Sequence, residues 1–428
     1  MLAAAGIAAL AAGSIALRPW FATPRSVGEI RRLVAAHDSD AALRVAADLL
    51  ARDPADPRLL EILDTLFAGL CDAATGEPAA PRSGAAVRRI TITLRNALRN
   101  GPESPVADEV FGKFAVAGGY NELAAAALRR AETLGVPADR VDAPLALALL
   151  RAGRYQDVLQ MTQPEAASSP RHRAVLLTLQ ARAYLGLAQD AEARNGFAAA
   201  LASDPGDTDA LSRLGMLALW HDRDASAAAA LLARARAAAP DGLPTLRLAG
   251  EYDYATGDYR GSAAAYGALV RRGTPETFDP IPPSLGAARA LTYAGDLAAA
   301  QAALDASPLP AGDPALRYYR ALLAYRAGDF ERAADLAQSL AAAWPNYPPL
   351  ELLLGGALLA SDLPAMAAAR LAHYVAEVPG DGAARDLLQK AQRGMTDPMA
   401  AIVSPQELLV ALGFPLSTGA GSAGKDGF

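Results

Sequence analysis

The chain has 428 residues, a net charge of −6 and a pI near 5.4. Hydrophobic residues make up 52% of it but aromatic residues only 6%. The acidic balance and the lack of a long basic stripe argue against nucleic acid as a partner, and the alanine-rich, strand-poor composition indicates an all-α protein too long for one ordinary core.

The first predicted element is an uncharged N-terminal segment, Leu2–Leu17, followed by Arg18, Trp20 and Phe21. It is short for a membrane span, which needs about 20 residues, but extension through the two aromatic residues would place them at a membrane interface. We expect residues 1–23 to anchor the protein in the inner membrane with a periplasmic repeat domain. A cytoplasmic orientation, a cleaved signal peptide and a soluble helix are the alternatives.

A repeat of about 35 residues dominates the rest of the chain. One series of prolines recurs at intervals of 33 to 35 residues: Pro137, Pro170, Pro205, Pro240, Pro275, Pro310, Pro345 and Pro379. Between the prolines lie turn motifs in a constant phase: Gly118-Gly119-Tyr120, Gly153-Arg154-Tyr155, Gly257-Asp258-Tyr259, Gly295-Asp296-Leu297, Gly328-Asp329-Phe330, and also His221–Asp224 and Ser361-Asp362-Leu363. Because Gly permits a left-handed helix end, Asp caps a helix and Pro cannot continue one, each period is predicted to be a helical hairpin.

These units resemble the tetratricopeptide repeat (TPR), a helical hairpin of about 34 residues with small residues at fixed contact positions. The residues at the motif positions are Tyr184, Ala193, Phe197, Ala200 and Pro205; Leu211, Leu214, Gly215, Ala228, Ala235 and Pro240; Gly328, Ala333, Leu340 and Pro345; and Leu354, Gly355, Ala367 and Pro379. The resemblance implies an all-α, right-handed superhelical solenoid of TPR-like hairpins over residues 26–393.

Several segments depart from the repeat in chain order. Asp72–Gly84 is predicted to be an exposed loop inserted before a long second helix. Arg89–Leu94 looks strand-like, but its neighbours favour helix, so Ile90–Leu98 is predicted to be helical. The unit at Val141–Pro164 has a short second helix, and Asp381–Arg393 is predicted to cap the array with a polar outer face.

The C-terminal extension, residues 394–428, has a Gly/Ser-rich tail that we expect to be disordered. Gly419–Lys425 matches GxxxxGK, but Asp426 follows where a phosphate loop needs Ser or Thr. The single Cys71 follows an apolar helix and is predicted to be a buried, inert thiol. The histidines show no metal-ligand spacing: His37, His172, His221 and His373.

The turns contain acidic residues that are predicted to be helix caps: Asp222, Asp224 and Asp381. The sequence contains no cofactor motif and no catalytic constellation. It therefore predicts a protein that is not an enzyme and binds no cofactor and no metal.

In TPR proteins the first helix of each hairpin lines the concave face, so the resemblance implies a groove that binds a protein or peptide. Counting from the small residue of each unit gives candidates rich in Tyr, Trp and Arg, which are common at binding hot spots. The candidates are Thr178, Arg182, Met216, Trp220, Arg247, Glu251, Tyr254, Arg289, Tyr293, Tyr318, Tyr325 and Arg326. The alternative for Tyr254, Tyr293 and Tyr325 is packing between adjacent repeats.

These features together predict a non-catalytic scaffold that holds a protein or peptide partner. The alanine-rich composition also resembles periplasmic TPR proteins of bacterial exopolysaccharide-export and protein-sorting systems. That resemblance implies attachment to a cell-envelope assembly. A cytoplasmic regulator or co-chaperone is the alternative function.

Overall fold

The protein folds into a chain of helical hairpins. A computed structural model describes residues 26–36, 38–70, 84–101, 103–272, 281–341, 344 and 347–395. Within them lie 21 α-helices and no β-strand. The predicted all-α, right-handed superhelical solenoid of TPR-like hairpins is confirmed.

Ten hairpins follow one another, and a last helix closes the array. The first helices are α1 (Val27–Ala35), α3 (Pro57–Leu70), α5 (Pro105–Ala117), α7 (Ala138–Arg151), α9 (Pro170–Gly186), α11 (Thr208–Trp220), α13 (Leu243–Ala255), α15 (Pro283–Ala294), α17 (Pro314–Arg326) and α19 (Pro348–Ala360). The second helices are α2 (Ser39–Leu50), α4 (Gly84–Asn100), α6 (Asn121–Thr133), α8 (Tyr155–Met161), α10 (Asp190–Ser203), α12 (Ala225–Ala238), α14 (Tyr259–Arg271), α16 (Leu297–Asp305), α18 (Phe330–Gln338) and α20 (Pro364–Glu377). The closing helix is α21 (Gly382–Gln392), and a short 3₁₀ helix, Pro164–Ala166, precedes α9.

First and second helices differ in how much of their surface is buried. Most first helices are covered on most sides; α5, for example, is buried at every residue from Ala107 to Val116, whereas the terminal helix α1 buries only Ile30. The second helices bury a single stripe, which in α6 runs from Ala124 to Ala131. This difference follows from the stacking, because a first helix packs against its own partner, the preceding second helix and the next first helix.

In eight of the ten hairpins, the turn is in constant register with the core. A residue with positive φ is followed, five positions later, by a fully buried residue of the second helix. The pairs are Gly119 and Ala124, Gly153 and Val158, Ala188 and Ala193, Arg223 and Ala228, Gly257 and Ser262, Gly295 and Ala300, Gly328 and Ala333, and Asp362 and Ala367. Three of these turns place a non-glycine residue in the left-handed region, so the backbone path is set by the hairpin as much as by the residue type.

The buried apolar residues do not form one continuous core in the described chain. One large cluster runs from Ile30 in α1 to Ala183 in α9, and a second runs from Ile281, next to α15, to Ala391 in α21. Between them α9 to α15 hold three small clusters. The middle repeats therefore depend more on polar contacts than the two ends do.

Several sequence predictions concern particular segments. As predicted, Ile90–Leu98 is helical and lies in α4, and the second helix α8 is short. Helix α21 also follows its predicted capping residue, Asp381. Asp224 caps α12, but Asp222 instead forms an ion pair with Arg194. The predicted insertion lies outside the described residues except for Gly84, which begins α4. Cys71, His37 and the tail also lie outside them.

The predicted localisation, a protein anchored in the inner membrane, requires correction. Among the residues that the structure describes, no helix is both long enough and apolar enough to cross a bilayer. Leu2–Leu17, on which the prediction rested, lies outside those residues. Membrane anchoring therefore has no structural support.

Candidate functional site

The predicted groove residues fall on the first helices, but most of them are not open to a partner. Trp220 and Tyr293 are half-buried, and Arg326 is exposed. The buried members are Thr178, Arg182, Met216, Arg247, Glu251, Tyr254, Arg289, Tyr318 and Tyr325. Binding of a partner by this set stays a prediction, and only the three accessible side chains could touch one without rearrangement.

Asp209 at the start of α11 is the centre of a buried ionic cluster. Its carboxylate accepts hydrogen bonds from Arg247 Nη2 of α13 at 2.8 Å and from Arg182 Nη1 of α9 at 3.4 Å. Arg213, one turn along α11, lies 3.4 Å away. Burial by itself would raise the pKa of Asp209, but Arg213, Arg182 and Arg247 outweigh it, so the pKa is lowered. The cluster joins three successive hairpins.

A second buried cluster joins α13, α14 and α15 around Glu251. Arg289 Nη2 donates to Glu251 Oε1 at 2.6 Å, and the hydroxyl of Tyr266 donates to the same oxygen. The guanidinium carbon of Arg289 lies 3.8 Å from the ring centre of Tyr254. The charge of Arg289 is thus balanced by an ion pair and a cation–π contact, while its Nε and Nη1 are buried without a hydrogen-bond partner.

The tyrosines continue the second cluster toward α17. The rings of Tyr254 and Tyr293 meet edge to face with centres 5.6 Å apart, and Arg326 lies 5.2 Å above the ring of Tyr293. Tyr325 packs against Phe330 of its own hairpin. Burial raises the pKa of Tyr254 well above its ordinary value. Tyr254 and Tyr293 therefore pack between adjacent repeats, whereas Tyr325 packs within its own hairpin.

An open cavity lies on the first-helix face of the N-terminal half, outside the predicted groove. Its volume is about 470 Å³. Residues of four successive first helices line it: Asp64, Thr65, Phe67 and Ala68 of α3, Lys113 of α5, Ala143, Pro144 and Leu147 of α7, and Val175 and Leu179 of α9. The lining is mainly apolar, and a cavity of this size and character is typical of a ligand or side-chain site.

Charged groups gather where Lys113 and Asp64 line this cavity. Lys113 Nζ donates to Glu109 at 2.7 Å and to Asp64 at 2.5 Å. Arg140 of α7 also donates to Glu109, at 2.9 Å, and keeps nearly half of its side chain exposed. Two acids and two bases balance each other here, so the cavity offers an apolar surface beside a neutral but polar edge.

Helix α7 contains an internal proline, Pro144, which is the signal that sequence reasoning missed. A proline inside a helix has no N–H to give, so the carbonyl of Arg140 loses its helical hydrogen bond. The Pro144 ring itself lines the cavity. A proline in an otherwise helical, apolar run could have marked this place in the sequence.

The histidines and carboxylates of the described residues form no metal site. That part of the chain contains no group of three or more His, Cys, Asp or Glu side chains that could hold a metal ion. His172 Nε2 lies 3.0 Å from Asp142 Oδ2, and His221 pairs with Asp190 at the surface. Each of these contacts joins one histidine to one carboxylate.

Comparison with known proteins finds structures with a similar fold but assigns the chain to no family. No protein-family model matches the chain, and no curated protein matches it. A TPR protein from Parabacteroides merdae is 14% identical with a TM-score of 0.35, covering 77% of this chain and 95% of its own. Human IFIT1, solved as a dimer with m7Gppp-AAAA, is 14% identical with a TM-score of 0.43, covering 87% and 91%. At these values the likeness extends to the helical-repeat fold alone.

Proposed function

We propose that the protein is a non-catalytic scaffold that binds a protein or peptide partner on its first-helix face. The observation that carries the proposal is the open, mainly apolar cavity shared by α3, α5, α7 and α9. Four helices from four hairpins supply its walls, so the site exists only because the repeats stack. A site of this kind is built for holding a side chain or a short segment of a partner.

The site has the mixed character of a protein-binding surface. Apolar side chains such as Phe67 and Leu147 form the buried floor, and Arg140 lies partly exposed beside it. An apolar centre with a polar rim is the arrangement that protein interfaces commonly show. Trp220, Tyr293 and Arg326 would extend the contact toward the C-terminal half, as the sequence predicted.

RNA is not proposed as the ligand, although IFIT1 structures contain it. The present chain has a net charge of −6, whereas RNA binding depends strongly on contacts from Lys and Arg to phosphates. The likeness to IFIT1 is also too distant to carry a ligand across. The attachment to an envelope assembly that composition suggested has no support in the fold.

Site-specific photo-cross-linking in the native host tests the proposal. The photoreactive residue replaces Ala68, an exposed residue at the cavity, and in a matched control it replaces Ala126, which is exposed on the second helix α6. We expect a discrete cross-linked protein from position 68 and none from position 126. Equal cross-linking from both positions, or none from position 68, would contradict the proposal.

A blocking variant gives the second arm of the same test. Ala68→Arg should abolish the cross-linked or co-purified partner, while Ala126→Arg should retain it at equal melting temperature. The identity of the recovered protein then separates the two function classes, since an export or sorting component favours an assembly scaffold and a chaperone or its client favours the cytoplasmic alternative.

A further inference from the structure

Helix α9 lies where the apolar core of the solenoid is interrupted. Leu179 and Ala183 belong to the large N-terminal cluster, whereas Ala174 and Ala181 belong to a small separate cluster with α10 and α11. The two faces of α9 therefore belong to different cores. Polar side chains cross both junctions, and each junction contains a titratable group, His172 on the α7 side and Asp207 on the α11 side.

On the α7 side, the polar contact is between His172 and Asp142. His172 Nε2 lies 3.0 Å from Asp142 Oδ2, and both side chains are largely buried. Asp139 of α7 also acts on the histidine, while Arg173, on the same helix, is paired with Glu165 of the 3₁₀ helix. The hydrogen bond to Asp142 raises the pKa of His172 above its ordinary value in spite of burial.

On the α11 side, the polar contact is between Thr178 and Asp207. The threonine hydroxyl donates to Asp207 Oδ2 at 2.8 Å, and Asp207 Oδ1 caps α11 by accepting the backbone N–H groups of Asp209 and Ala210 at 3.0 Å. Burial, and then the neighbouring charge of Asp209, raise the pKa of Asp207 to about 7.

The charged groups around Asp207 do not bring its pKa back to the ordinary value. Arg182 of α9, Arg213 of α11 and Arg247 of α13 all contact Asp209. In the loop before α11, Asp204 accepts the N–H of Gly206, and Arg234 of α12 donates to the carbonyl of Pro205. The arginines thus hold Asp209 ionised, and Asp207 carries the less favourable charge of the pair.

Both titrations act in the same direction on the two junctions. A raised carboxyl pKa means that Asp207 contributes stability below its ordinary pKa of 3.8, which is lost as pH rises through about 7. His172, whose pKa is raised from 6.5, contributes stability below that value, which is lost as pH rises through its folded pKa. Near neutral pH, a rise in pH weakens the contacts on both sides of α9.

We propose that α9 is a pH-responsive joint of the solenoid, which holds the repeats on either side of it tightly below neutral pH and loosely above it. The protonated form of Asp207 can donate a hydrogen bond to Thr178, and the protonated form of His172 makes an ion pair with Asp142. Loss of these protons leaves a buried carboxylate beside Asp209 and a weaker contact to α7.

Distance measurement between spin labels on either side of α9 tests the proposal in the full chain. Labels are placed at Ala126→Cys on α6 and Ala237→Cys on α12, both exposed, in a Cys71→Ser background. We expect a narrow distance distribution near pH 6 and a broader one near pH 8. The ratio of looser to tighter conformers should rise by up to about tenfold per pH unit for each group that titrates.

Asp207→Asn separates the joint from a general effect of pH. The asparagine side chain is neutral, can still cap α11 and can donate to Thr178, so the variant should broaden less than the parent between pH 6 and pH 8, and His172 accounts for the broadening that remains. His221→Gln, which removes the surface histidine paired with Asp190, should behave like the parent. A distribution in the parent that does not change with pH would overturn the proposal. It would also be overturned if Asp207→Asn broadened between pH 6 and pH 8 as much as His221→Gln.

Discussion

At the scale of single residues, the packing between α13 and α15 depends on a slot for one ring. Tyr266 of α14 inserts between the backbones of Gly250 and Gly286, and its hydroxyl reaches Glu251. A Cβ at Gly250 would lie only 2.7 Å from the ring, and one at Gly286 would overlap it. The two glycines are therefore required by the close approach of an aromatic side chain.

Gly286→Ala should lower the free energy of unfolding by about 1–3 kcal/mol, because the ring of Tyr266 has no space to move away within a filled interface. The matched control is Gly267→Ala on α14, where the new methyl meets only the flexible end of Arg271. That control should be neutral or stabilise by up to about 1 kcal/mol through helix propensity. Urea denaturation of both variants measures the difference. Equal losses of stability would contradict the requirement for glycine at position 286.

Glu251→Gln should destabilise the protein by about 3–5 kcal/mol, because it leaves the buried charge of Arg289 without its partner. The double variant Glu251→Leu with Arg289→Met should recover much of this loss, since it removes both charges. Arg194→Ala, which breaks the exposed pair with Asp222, should cost less than about 1 kcal/mol. Thermal and urea unfolding give the three values, and a loss in the double variant equal to that in Glu251→Gln would contradict the explanation.

The residue scale is also where prediction from sequence was least successful. Arg247, Arg289 and Tyr254 have the composition of a binding hot spot, yet each lies against a neighbouring repeat. Their exposure depends on how closely successive first helices approach, and that distance cannot be inferred from the sequence of any single repeat. The cavity at Pro144 was missed for the same reason, since its walls come from four units.

At the scale of helices, sequence was a much better guide. Each Gly–Asp turn ends one helix and begins the next through residues that are local in sequence. The predicted caps are therefore in place at Asp258, Asp296 and Asp329. Asp222 and Asp224 show the limit of this reasoning. They lie two residues apart in one turn, but only Asp224 reaches a free helical N–H.

Asp224→Ala should destabilise α12 by about 0.5–2 kcal/mol, because the N–H of Ala227 loses its acceptor at 2.9 Å. Asp222→Ala is the matched control in the same turn and should cost less than about 1 kcal/mol, as expected for an exposed ion pair. Hydrogen exchange of the first turn of α12 measures the local effect. Faster exchange in Asp222→Ala than in Asp224→Ala would show that the cap is assigned to the wrong residue.

At the scale of the whole molecule, the division of the apolar core sets how the protein unfolds. Stability in a repeat array is a sum of unit terms and nearest-neighbour terms, so a weak interface can separate two cooperative units. Here the large clusters from Ile30 and from Ile281 are separated by the polar middle repeats. The proline period predicted the array itself, but not this division, because the period marks the turns and not the packing between successive units.

We therefore expect more than one transition in urea, with the α1–α9 and α15–α21 blocks losing hydrogen-exchange protection at different concentrations. Glu251→Gln should shift the protection of α13 to α15 and leave that of α1 to α5 unchanged. Hydrogen exchange followed by mass spectrometry resolves the blocks. A single transition with uniform loss of protection along the chain would show that the middle repeats couple the two clusters fully.

The constant offset between turn and buried residue also bears on how such a chain can change over generations. Because eight hairpins repeat the same five-residue spacing, recombination at their turns can duplicate or delete a whole hairpin without a shift of register. Deletion without a shift of register would still disrupt the array at the hairpin of α11 and α12. Its removal would take away Asp209, the buried carboxylate that Arg182 and Arg247 of the units on either side both contact. This central hairpin is thus tied to its neighbours.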